Sequence, residues 1–395
     1  MTDRLYFADP YLTTFAATIV DRAERNHHPA VALDRTAFYP EGGGQPADHG
    51  VLDQVAVVDV QSDDDGTVWH LLDRPLDAEQ VEGRVDWLRR FDHMQQHHGQ
   101  HLLSAAFEEL FHLRTVAFHL GADYATIDLD GEATDSHLAA AEERTNQVIW
   151  EDRPIEARFV TPDELATIPL RKPPTVEGAI RVVSVPGFDH SACGGTHPRS
   201  TGAVGVLHIR RREKRGGETR VEFVCGGRAL GDLRRKSAML GRIAAAFTVG
   251  LDEVEDAVQR VRDQEEASRK RLAAVMERVL VYEAAELVTA TPGDGPRLVS
   301  QVRDDLTLDE ARTLARAVTA AGIVAVIGLR GEKAQLLAAR PEGHPLDCGK
   351  LIREGLAPFG GRGGGAPAMA QGGIPDAARL GDAVAALVGH IKDMA

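Results

Sequence analysis

The sequence predicts an α+β multidomain protein built from four consecutive domains. Short β-branched and aromatic runs, separated by Gly, Asp and Pro, predict a β-barrel-like domain over residues 1–88. Helical and strand patterns alternate over 89–235, so an α+β domain is expected there. A charged helical stretch over 236–290 predicts an arm, and the renewed strands and helices of 291–395 predict a small α/β domain.

Composition limits the classes of protein that this chain can be. Its 395 residues include 45 basic and 60 acidic side chains, and the net charge of −15 argues against a protein that coats DNA. No run of 18 apolar residues and no apolar leader is present, so neither a membrane-spanning helix nor secretion is expected. Cys193, Cys225 and Cys348 are too few for a disulfide framework. We therefore expect a cytoplasmic protein without DNA or membrane partners.

The order of elements in the first two domains follows from the spacing of apolar residues. Strands are expected at VALDRTAFYP, VLDQVAVVDVQ and TVWHLLD, with the glycine-rich EGGGQPADHG between the first two. From Trp87 to Phe111, apolar side chains recur every three or four residues, which predicts one long helix. A second helix is expected over 134–151, among strands at VAFHLG, ATIDLD, IEARFV, IRVVSVPGF, VGVLHIRR and RVEFVCGG.

The third and fourth domains are predicted from other features of the sequence. The spacing of a coiled-coil seam is found at Val254, Val258 and Val261, and again at Leu272, Met276 and Val279. Glu265 and Ser268 interrupt the seam, which favours a helical hairpin or an extended arm over one unbroken coil. TPGDGP at 291–296 predicts a linker. Beyond it, Thr307 and Glu310 predict a capping box for a helix that ends at Gly322.

Four side chains have the spacing of a metal site. His97 and His101 are four residues apart, so on a helix both rings project from one face. His98 is rotated about 100° from His97 and is expected to stay outside this pair. Cys193 and His197, in CGGTH, form a second pair on a glycine-containing loop. Three imidazoles and one thiolate are donors that zinc prefers, so we predict one Zn2+ per chain.

The surroundings of these pairs indicate what such a site does. Ligands from a helix and a distant loop are typical of active sites, although four protein ligands also suit a structural zinc. A zinc peptidase needs Glu after the first histidine, and His98 stands there, which favours a hydrolase acting on a bond more labile than an amide. In EGGGQP, three glycines let backbone amides approach a ligand and Gln45 adds a side-chain amide, but a mobile hairpin turn explains the glycines equally well.

At this point the sequence resembles the editing module of alanyl-tRNA synthetases, and most of all its free-standing relatives, the AlaX alanyl-tRNA editing proteins in their long form. The resemblance rests on the order and spacing of four blocks, TAFYPEGGGQPADHG, DWLRRFDHMQQHHGQHLLSAAF, IRVVSVPGFDHSACGGTHPRSTGAVG and TRVEFVCGGRAL. The segment CGKLIREGLAPFGGRGGGAPAMAQGG resembles the C-terminal domain that follows a helical arm in those synthetases. The adenylate-forming motifs of class II synthetases are not recognised, so the resemblance implies editing without charging.

The resemblance also implies a substrate and roles for residues. The substrate is mischarged tRNA(Ala), chiefly Ser-tRNA(Ala) and also Gly-tRNA(Ala), hydrolysed without ATP. The ligands of zinc are those named above, Gly43, Gly44 and Gln45 line the aminoacyl pocket, and Thr36 meets the serine hydroxyl. The C-terminal domain binds tRNA or forms a homodimer. The family often has a small or hydroxylated residue where this chain has His98, so the sequence departs from the family beside the first ligand.

Contacts with tRNA are predicted from basic residues. A run of basic side chains on a predicted strand hairpin would contact the phosphates of tRNA. A charged hairpin that only faces solvent explains the same run equally well. A second contact is expected in the glycine-rich loop GGRGGG, whose exposed amides suit a phosphate. The residues concerned are Arg210, Arg211, Arg212, Lys214, Arg215 and Arg362.

Three other functions compete with this one. The editing domain of threonyl-tRNA synthetases shares both ligand pairs, and it acts on Ser-tRNA(Thr). A phosphodiesterase of the DHH type is disfavoured, because DHM at 92–94 and DHS at 189–191 do not supply its Asp-His-His motif. The third is a non-catalytic tRNA-binding protein with a structural zinc. A hydrolytic second sieve is physically required for alanine, since a pocket rejects an added hydroxyl only weakly.

Overall fold

A computed structural model describes residues 1–173, 179–292, 297–331 and 333–394. The chain divides into two compact units, residues 1–243 and 244–395. The finer division into four domains stays a prediction, and the linker expected at 291–296 lies mostly outside the described residues. Within the described ranges, no helix combines the length and the apolar character that a membrane span needs.

The first unit opens with a closed barrel, as the sequence predicts. Six strands, β2, β3, β7, β6, β5 and β8, close in that order with every neighbouring pair antiparallel, while β1 and β4 pair in parallel. Closure leaves the barrel without a free edge. Its core consists mainly of buried apolar side chains such as Leu33, Leu52 and Val60. The strands are β1 (Asp3–Arg4), β2 (Thr14–Arg25), β3 (His28–Leu33), β4 (Arg35–Thr36), β5 (Gly50–Leu52), β6 (Val55–Ser62), β7 (Val68–Leu72) and β8 (Gln80–Val85).

The rest of the first unit is an α+β arrangement around one long helix. The elements are α1 (Trp87–Phe111), β9 (Thr115–Leu120), β10 (Ala125–Leu129), α2 (Asp135–Trp150), β11 (Glu156–Val160), α3 (Pro162–Leu165), β12 (Ile180–Val185), β13 (Asp189–Ala192), β14 (Leu207–Arg215) and β15 (Glu218–Cys225). One antiparallel sheet has the order β14-β15-β10-β9 and the other has the order β11-β12-β13. Helix α1 has the predicted bounds, and Asp86 caps it by accepting a hydrogen bond from the Arg89 amide.

A buried ion pair fixes α1 against the barrel. Arg90, in the first turns of α1, pairs with Asp48, and both side chains are completely buried. The same guanidinium donates to the Ala37 carbonyl, and Asp48 accepts from the Tyr39 amide at 2.6 Å. Breaking a buried pair of this kind typically costs about 3–5 kcal/mol, because one charge is left without compensation. The ion pair therefore holds the segment that carries the glycine-rich turn in a fixed position against α1.

The second unit is a five-stranded sheet with helices. Helix α4 (Gly226–Phe247) crosses the boundary between the units and ends before α5 (Val254–Ala290), so the helical stretch is not one unbroken coil. The sheet has the order β16-β17-β18-β20-β19, and Thr307 and Glu310 form the predicted capping box at α6. The remaining elements are β16 (Leu298–Arg303), α6 (Leu308–Ala320), β17 (Val324–Leu329), β18 (Ala334–Ala339), α7 (Cys348–Leu356), β19 (Arg362–Ala366), β20 (Met369–Ile374) and α8 (Leu380–Asp393).

The loop expected at GGRGGG is a strand from Arg362 onward, and the prediction is wrong there. Strand β19 pairs antiparallel with β20 over its whole length. Its glycines permit close packing of α7, because a Cβ at Gly363 would lie 2.6 Å from Ile352 Cγ2. A glycine-rich segment has low strand propensity, so pairing with β20 and close packing of α7 together make this strand favourable.

Candidate metal centre

Helix α1 and the segment after β13 bring the four predicted ligands together. His97 and His101 lie one turn apart on α1, with ring centroids 5.2 Å apart and planes inclined by 24°. Cys193 directly follows β13, and His197 lies four residues later. The three histidines are 2–4% exposed. Their ligand atoms and the Cys193 sulfur all lie within 4.8 Å of one another.

The loop that carries Cys193 is held by strand β12. The Cys193 amide donates to the Arg181 carbonyl at 3.0 Å. The Arg181 guanidinium in turn donates to the carbonyls of Cys193 and Gly195, at 3.1 and 2.8 Å. Gly195 also approaches the centre closely, since a Cβ there would lie 2.6 Å from His97 Cε1. A side chain at this position would therefore displace a ligand ring.

The separations between the ligand atoms fit a tetrahedral metal. Nε2 of His97 lies 3.1 Å from Cys193 Sγ, and Nε2 of His197 lies 3.3 Å from it. Tetrahedral zinc with Zn–N of about 2.1 Å and Zn–S of about 2.3 Å spaces its ligands by similar distances. The donor set of three imidazoles and one thiolate, gathered within 4.8 Å, fits zinc.

The electrostatics of the centre favour a thiolate at Cys193 and a neutral ring at His197. Burial raises the pKa of Cys193, but the charges of His97 and His197 and hydrogen bonds outweigh burial, so this pKa lies well below its ordinary value. Burial lowers the pKa of His197 to about 3, which leaves a neutral ring. Burial also lowers the pKa of His101, yet hydrogen bonds to Asp189 and Cys193 raise it overall to about 9. A metal needs a thiolate and neutral imidazoles, so Cys193 and His197 are ready to bind it, whereas His101 releases a proton on binding and keeps the proton that Nδ1 donates to Asp189.

The glycine-rich turn lies against this centre. Residues Gly42 and Gln45 close the turn through two backbone hydrogen bonds of 3.1 and 3.0 Å. Gly43 and Gly44 have φ of +58° and +82°, in the left-handed region that favours glycine. A Cβ at Gly44 would lie 2.8 Å from the Phe118 ring, whose edge faces the His97 ring at 5.7 Å. The turn is thus packed between β9 and the ligands.

Gln45 connects the turn to the ligand loop. Its Nε2 donates to Thr196 Oγ1 at 2.8 Å, and its Oε1 accepts from the Thr196 amide at 3.1 Å. Both side chains are completely buried. The amide that the sequence offers to a ligand is therefore bound to Thr196 in this structure, and it sets the spacing between the turn and His197.

Comparison with known proteins identifies the family. The chain is 32% identical over 390 residues to the alanyl-tRNA editing protein AlaX-L of Pyrococcus horikoshii, and the alignment covers 94% of each chain. The chain belongs to the AlaX-L family. It is also 29% identical to the alanine–tRNA ligase of Pyrococcus abyssi, over 98% of this chain and 43% of the ligase. It thus spans less than half the length of that ligase.

Three family models match separate parts of this chain. The model for tRNA synthetases class II (A) matches residues 11–89, which form the barrel. The threonyl and alanyl tRNA synthetase second additional domain matches residues 180–222, which include Cys193 and His197. The DHHA1 domain matches residues 294–393. The C-Ala domain of alanyl-tRNA synthetase from Aquifex aeolicus has 26% identity and a TM-score of 0.23, covering 26% of this chain and 96% of that domain.

His98, where the sequence departs from the pattern expected of AlaX, contacts the centre. The prediction was that His98 stays outside the ligand pair, and it is not among the four residues whose ligand atoms meet, but its Nδ1 lies 3.0 Å from His197 Nδ1. Helical spacing separates His98 from His97 but places it three residues before His101, and the two rings stack at 5.8 Å. The His197 ring enters nearly perpendicular to them and so reaches both.

Thr36, expected by resemblance to meet the serine hydroxyl, is completely buried in the barrel. Its Oγ1 lies 2.8 Å from His70 Nε2 and accepts from the Phe38 amide at 3.1 Å. Since His70 Nδ1 faces the Val31 carbonyl, Nδ1 carries the proton and Nε2 accepts from the hydroxyl. The hydroxyl is therefore engaged within the barrel, and its contact with serine stays a prediction.

The basic run on β14 is matched by carboxylates. Arg211 pairs with Glu222 at 2.8 Å, and Arg212 pairs with Asp135 at 2.5 Å. Arg210, Lys214 and Arg215 also have carboxylate partners within 4 Å, namely Glu222 and Asp232, Glu132, and Glu213. Arg362 is exposed at the start of the edge strand β19. A phosphate would have to compete with ion pairs on β14.

Two residues that the sequence analysis missed support the ligands. Asp189 accepts from His101 Nδ1 at 3.2 Å and is itself held by Arg171 at 2.9 Å. Thr196 receives both hydrogen bonds of the Gln45 side chain. Both lie inside the recognised block around CGGTH, but nothing in their spacing shows which distant side chain they meet.

Proposed function

We propose that this protein is a trans-editing hydrolase that deacylates mischarged tRNA(Ala), chiefly Ser-tRNA(Ala) and secondarily Gly-tRNA(Ala). The observation that carries the proposal is the buried centre of His97, His101, Cys193 and His197, packed against the Gly42–Gln45 turn. Family membership supports it, since the relative aligned over 94% of its length is an alanyl-tRNA editing protein. Editing by a separate protein provides the second sieve that amino-acid selection lacks.

One Zn2+ per chain would be held by the four ligands. When bound, zinc polarises the ester carbonyl or a water molecule. The chain itself positions the substrate: the left-handed glycines of the turn expose backbone amides, and the Gln45–Thr196 contact fixes their distance from the ligand loop. An aminoacyl ester is far more labile than an amide, so orientation and exclusion of bulk water supply much of what catalysis needs.

Deacylation assays test the proposed function directly. The full-length protein is incubated with Ser-, Gly- and Ala-tRNA(Ala) and with Ser-tRNA(Thr), and release of the amino acid is followed over time. We expect fastest hydrolysis of Ser-tRNA(Ala), slower hydrolysis of Gly-tRNA(Ala) and little loss of Ala-tRNA(Ala). Preferred hydrolysis of Ser-tRNA(Thr) would assign it to threonyl-type editing, and binding without hydrolysis would make it a non-catalytic zinc protein.

The metal has its own test, with a matched pair of cysteine variants. Cys193→Ala removes the thiolate ligand, and we expect zinc per chain, measured by elemental analysis, to fall from one toward zero together with deacylation. Cys348→Ala removes a buried thiol in the second unit and should retain both. Full activity of the wild-type protein without zinc would refute the metal assignment while leaving the deacylase assignment intact.

We propose that the second unit forms a homodimer through α5. Most of the predicted seam is solvent-exposed, including Val258, Val261, Leu272 and Val279, which are 40–62% exposed. Residues 251–266 contain seven acidic and two basic side chains, whereas 267–282 contain one acidic and four basic. Antiparallel pairing of two copies would bury the apolar seam and place the acidic half against the basic half.

We also propose that the basic run on β14 binds tRNA. Arg210, Arg211, Arg212, Lys214 and Arg215 lie together on β14, and Arg362 is exposed in the second unit. The β14 cations already have carboxylate partners. Replacing these partners by phosphates therefore contributes less binding free energy than contact between phosphates and unpaired cations would. Replacing Arg212 and Lys214 by Gln should raise KM for Ser-tRNA(Ala), leave kcat unchanged and reduce the salt dependence of binding.

A further inference from the structure

The ligand histidines differ in the partner of the ring nitrogen that faces away from the centre. Nε2 of His97 and Nε2 of His197 lie against Cys193 Sγ, so in these rings Nδ1 is the nitrogen that needs another partner. His101 Nδ1 donates to Asp189 at 3.2 Å, and His197 Nδ1 faces His98 Nδ1 at 3.0 Å. His97 Nδ1 is buried without a partner among the described residues. A ligand histidine normally donates its second N–H to an acceptor, which fixes the ring and its tautomer.

We propose that His98 is a positioning residue that accepts the Nδ1 proton of His197 and so presents His197 Nε2 to the metal. This inference rests on the proposed zinc centre. His98 is completely buried, and no ligand role is available to it, because the ligand atoms that meet are those of the four other residues. An acceptor in this place does for His197 what Asp189 does for His101.

The proton count makes this arrangement specific to the metal-bound protein. A metal on His197 Nε2 requires the His197 proton to sit on Nδ1, and His98 Nδ1 must then be the acceptor. The His98 proton is thereby placed on Nε2, which is buried without a partner among the described residues. If the protons are exchanged, His98 Nδ1 donates to His197 Nδ1, and His197 Nε2 is protonated and cannot bind a metal. The pair therefore favours metal binding only in one tautomer.

Replacement of His98 separates acceptance from packing. Asn has an acceptor oxygen near the place of His Nδ1 and no atom at Nε2, so His98→Asn keeps the bond and removes the unpartnered N–H. His98→Leu fills similar space but leaves the His197 N–H without an acceptor. His93→Leu is the matched control, since His93 is another buried α1 histidine, 3% exposed, that is not among the ligands.

The test is zinc affinity of the full-length protein, measured by competition with a chromophoric chelator after metal removal. Loss of such a partner typically weakens metal affinity by about 10–100-fold, so His98→Leu should do so while His98→Asn and His93→Leu remain near wild type. Substitution by Co2+ adds a second readout, because the absorption bands of the His98→Leu complex should shift from those of wild type and those of His98→Asn should not.

Each outcome decides one question. Wild-type affinity in His98→Leu, or equal weakening in His98→Asn and His98→Leu, would overturn the positioning role. Failure of the wild-type protein itself to bind zinc would instead overturn the proposed metal centre. Weakening in His93→Leu as large as in His98→Leu would show that any buried α1 histidine has this effect, and it would also overturn the role.

Discussion

Gln45 and Thr196 join two segments that are 151 positions apart in the chain, through a two-way hydrogen bond between a side-chain amide and a threonine. One partner belongs to the glycine-rich turn of the N-terminal part, and the other directly precedes the ligand His197. Because both are completely buried, water cannot replace the hydrogen bonds if one partner is lost. The spacing between turn and metal centre therefore depends on this contact.

Gln45→Leu should destabilise the protein and slow deacylation together. The substitution leaves the buried Thr196 amide without its acceptor, which typically costs about 1–3 kcal/mol in free energy of unfolding. Urea denaturation and the deacylation rate measure the two effects. Gln54→Leu, at an exposed position of the same barrel, is the control and should change neither. Unchanged stability in Gln45→Leu would show that the contact contributes nothing.

Gly195→Ala should weaken metal binding, and its neighbour provides the comparison. A Cβ at Gly195 would lie 2.6 Å from His97 Cε1, whereas a Cβ at Gly194 meets nothing within 4 Å. Overpacking typically costs about 1–3 kcal/mol, so zinc affinity should fall by roughly tenfold or more in Gly195→Ala. Gly194→Ala should bind zinc as wild type does. Equal affinities in the two variants would mean that the His97 ring yields without cost.

Thr36→Val tests two roles of one hydroxyl. The structure gives the hydroxyl two partners, His70 and the Phe38 amide, so its loss should lower the free energy of unfolding by about 1–3 kcal/mol. On this basis, deacylation of Ser-tRNA(Ala) and of Gly-tRNA(Ala) should fall by the same factor. A loss confined to the serine substrate would instead establish the contact with the serine hydroxyl that the family resemblance implies.

His70 should make stability depend on pH. Burial lowers the pKa of His70 to about 4, below its ordinary value of 6.5. The unfolded chain therefore takes up a proton first as pH falls, so the stabilisation is complete above pH 6.5 and is lost toward pH 4. At about 1.4 kcal/mol per pH unit, wild type should lose about 2 kcal/mol more than His70→Gln between pH 6.5 and 5. Identical losses in urea denaturation at saturating zinc would contradict the assignment.

The α5 seam can be tested by charge in the full-length chain. Val261→Glu combined with Leu272→Glu puts carboxylates into the proposed antiparallel interface, and we expect sedimentation to change from dimer to monomer. Val281→Glu, on another face of the same helix and 52% exposed, should remain dimeric. A monomeric wild-type protein, or a double variant that still dimerises, would contradict pairing through α5.

Local patterns in the sequence were sufficient for much of the architecture. The spacing of apolar residues predicted α1 from Trp87 to Phe111, and the short strand runs predicted the barrel. The two ligand pairs could be recognised because each pair lies within one helical turn or one short loop. Thr307 and Glu310 are likewise neighbours in the chain, so their capping box could be predicted.

The tertiary structure alone decided which distant groups meet. Helical spacing on α1 predicted that His98 is not a ligand, but it could not predict the contact of His98 with the His197 ring, which enters from another segment. Three other contacts also could not be predicted from spacing. They are those of Asp189 with His101, of Gln45 with Thr196, and of the β14 cations with their carboxylates. The strand at Arg362 forms through pairing with β20 and close packing of α7, although its glycines have little strand propensity of their own. Periodicity and residue type determine which side chains share an element, whereas contacts between elements depend on how buried surfaces pack in the whole fold.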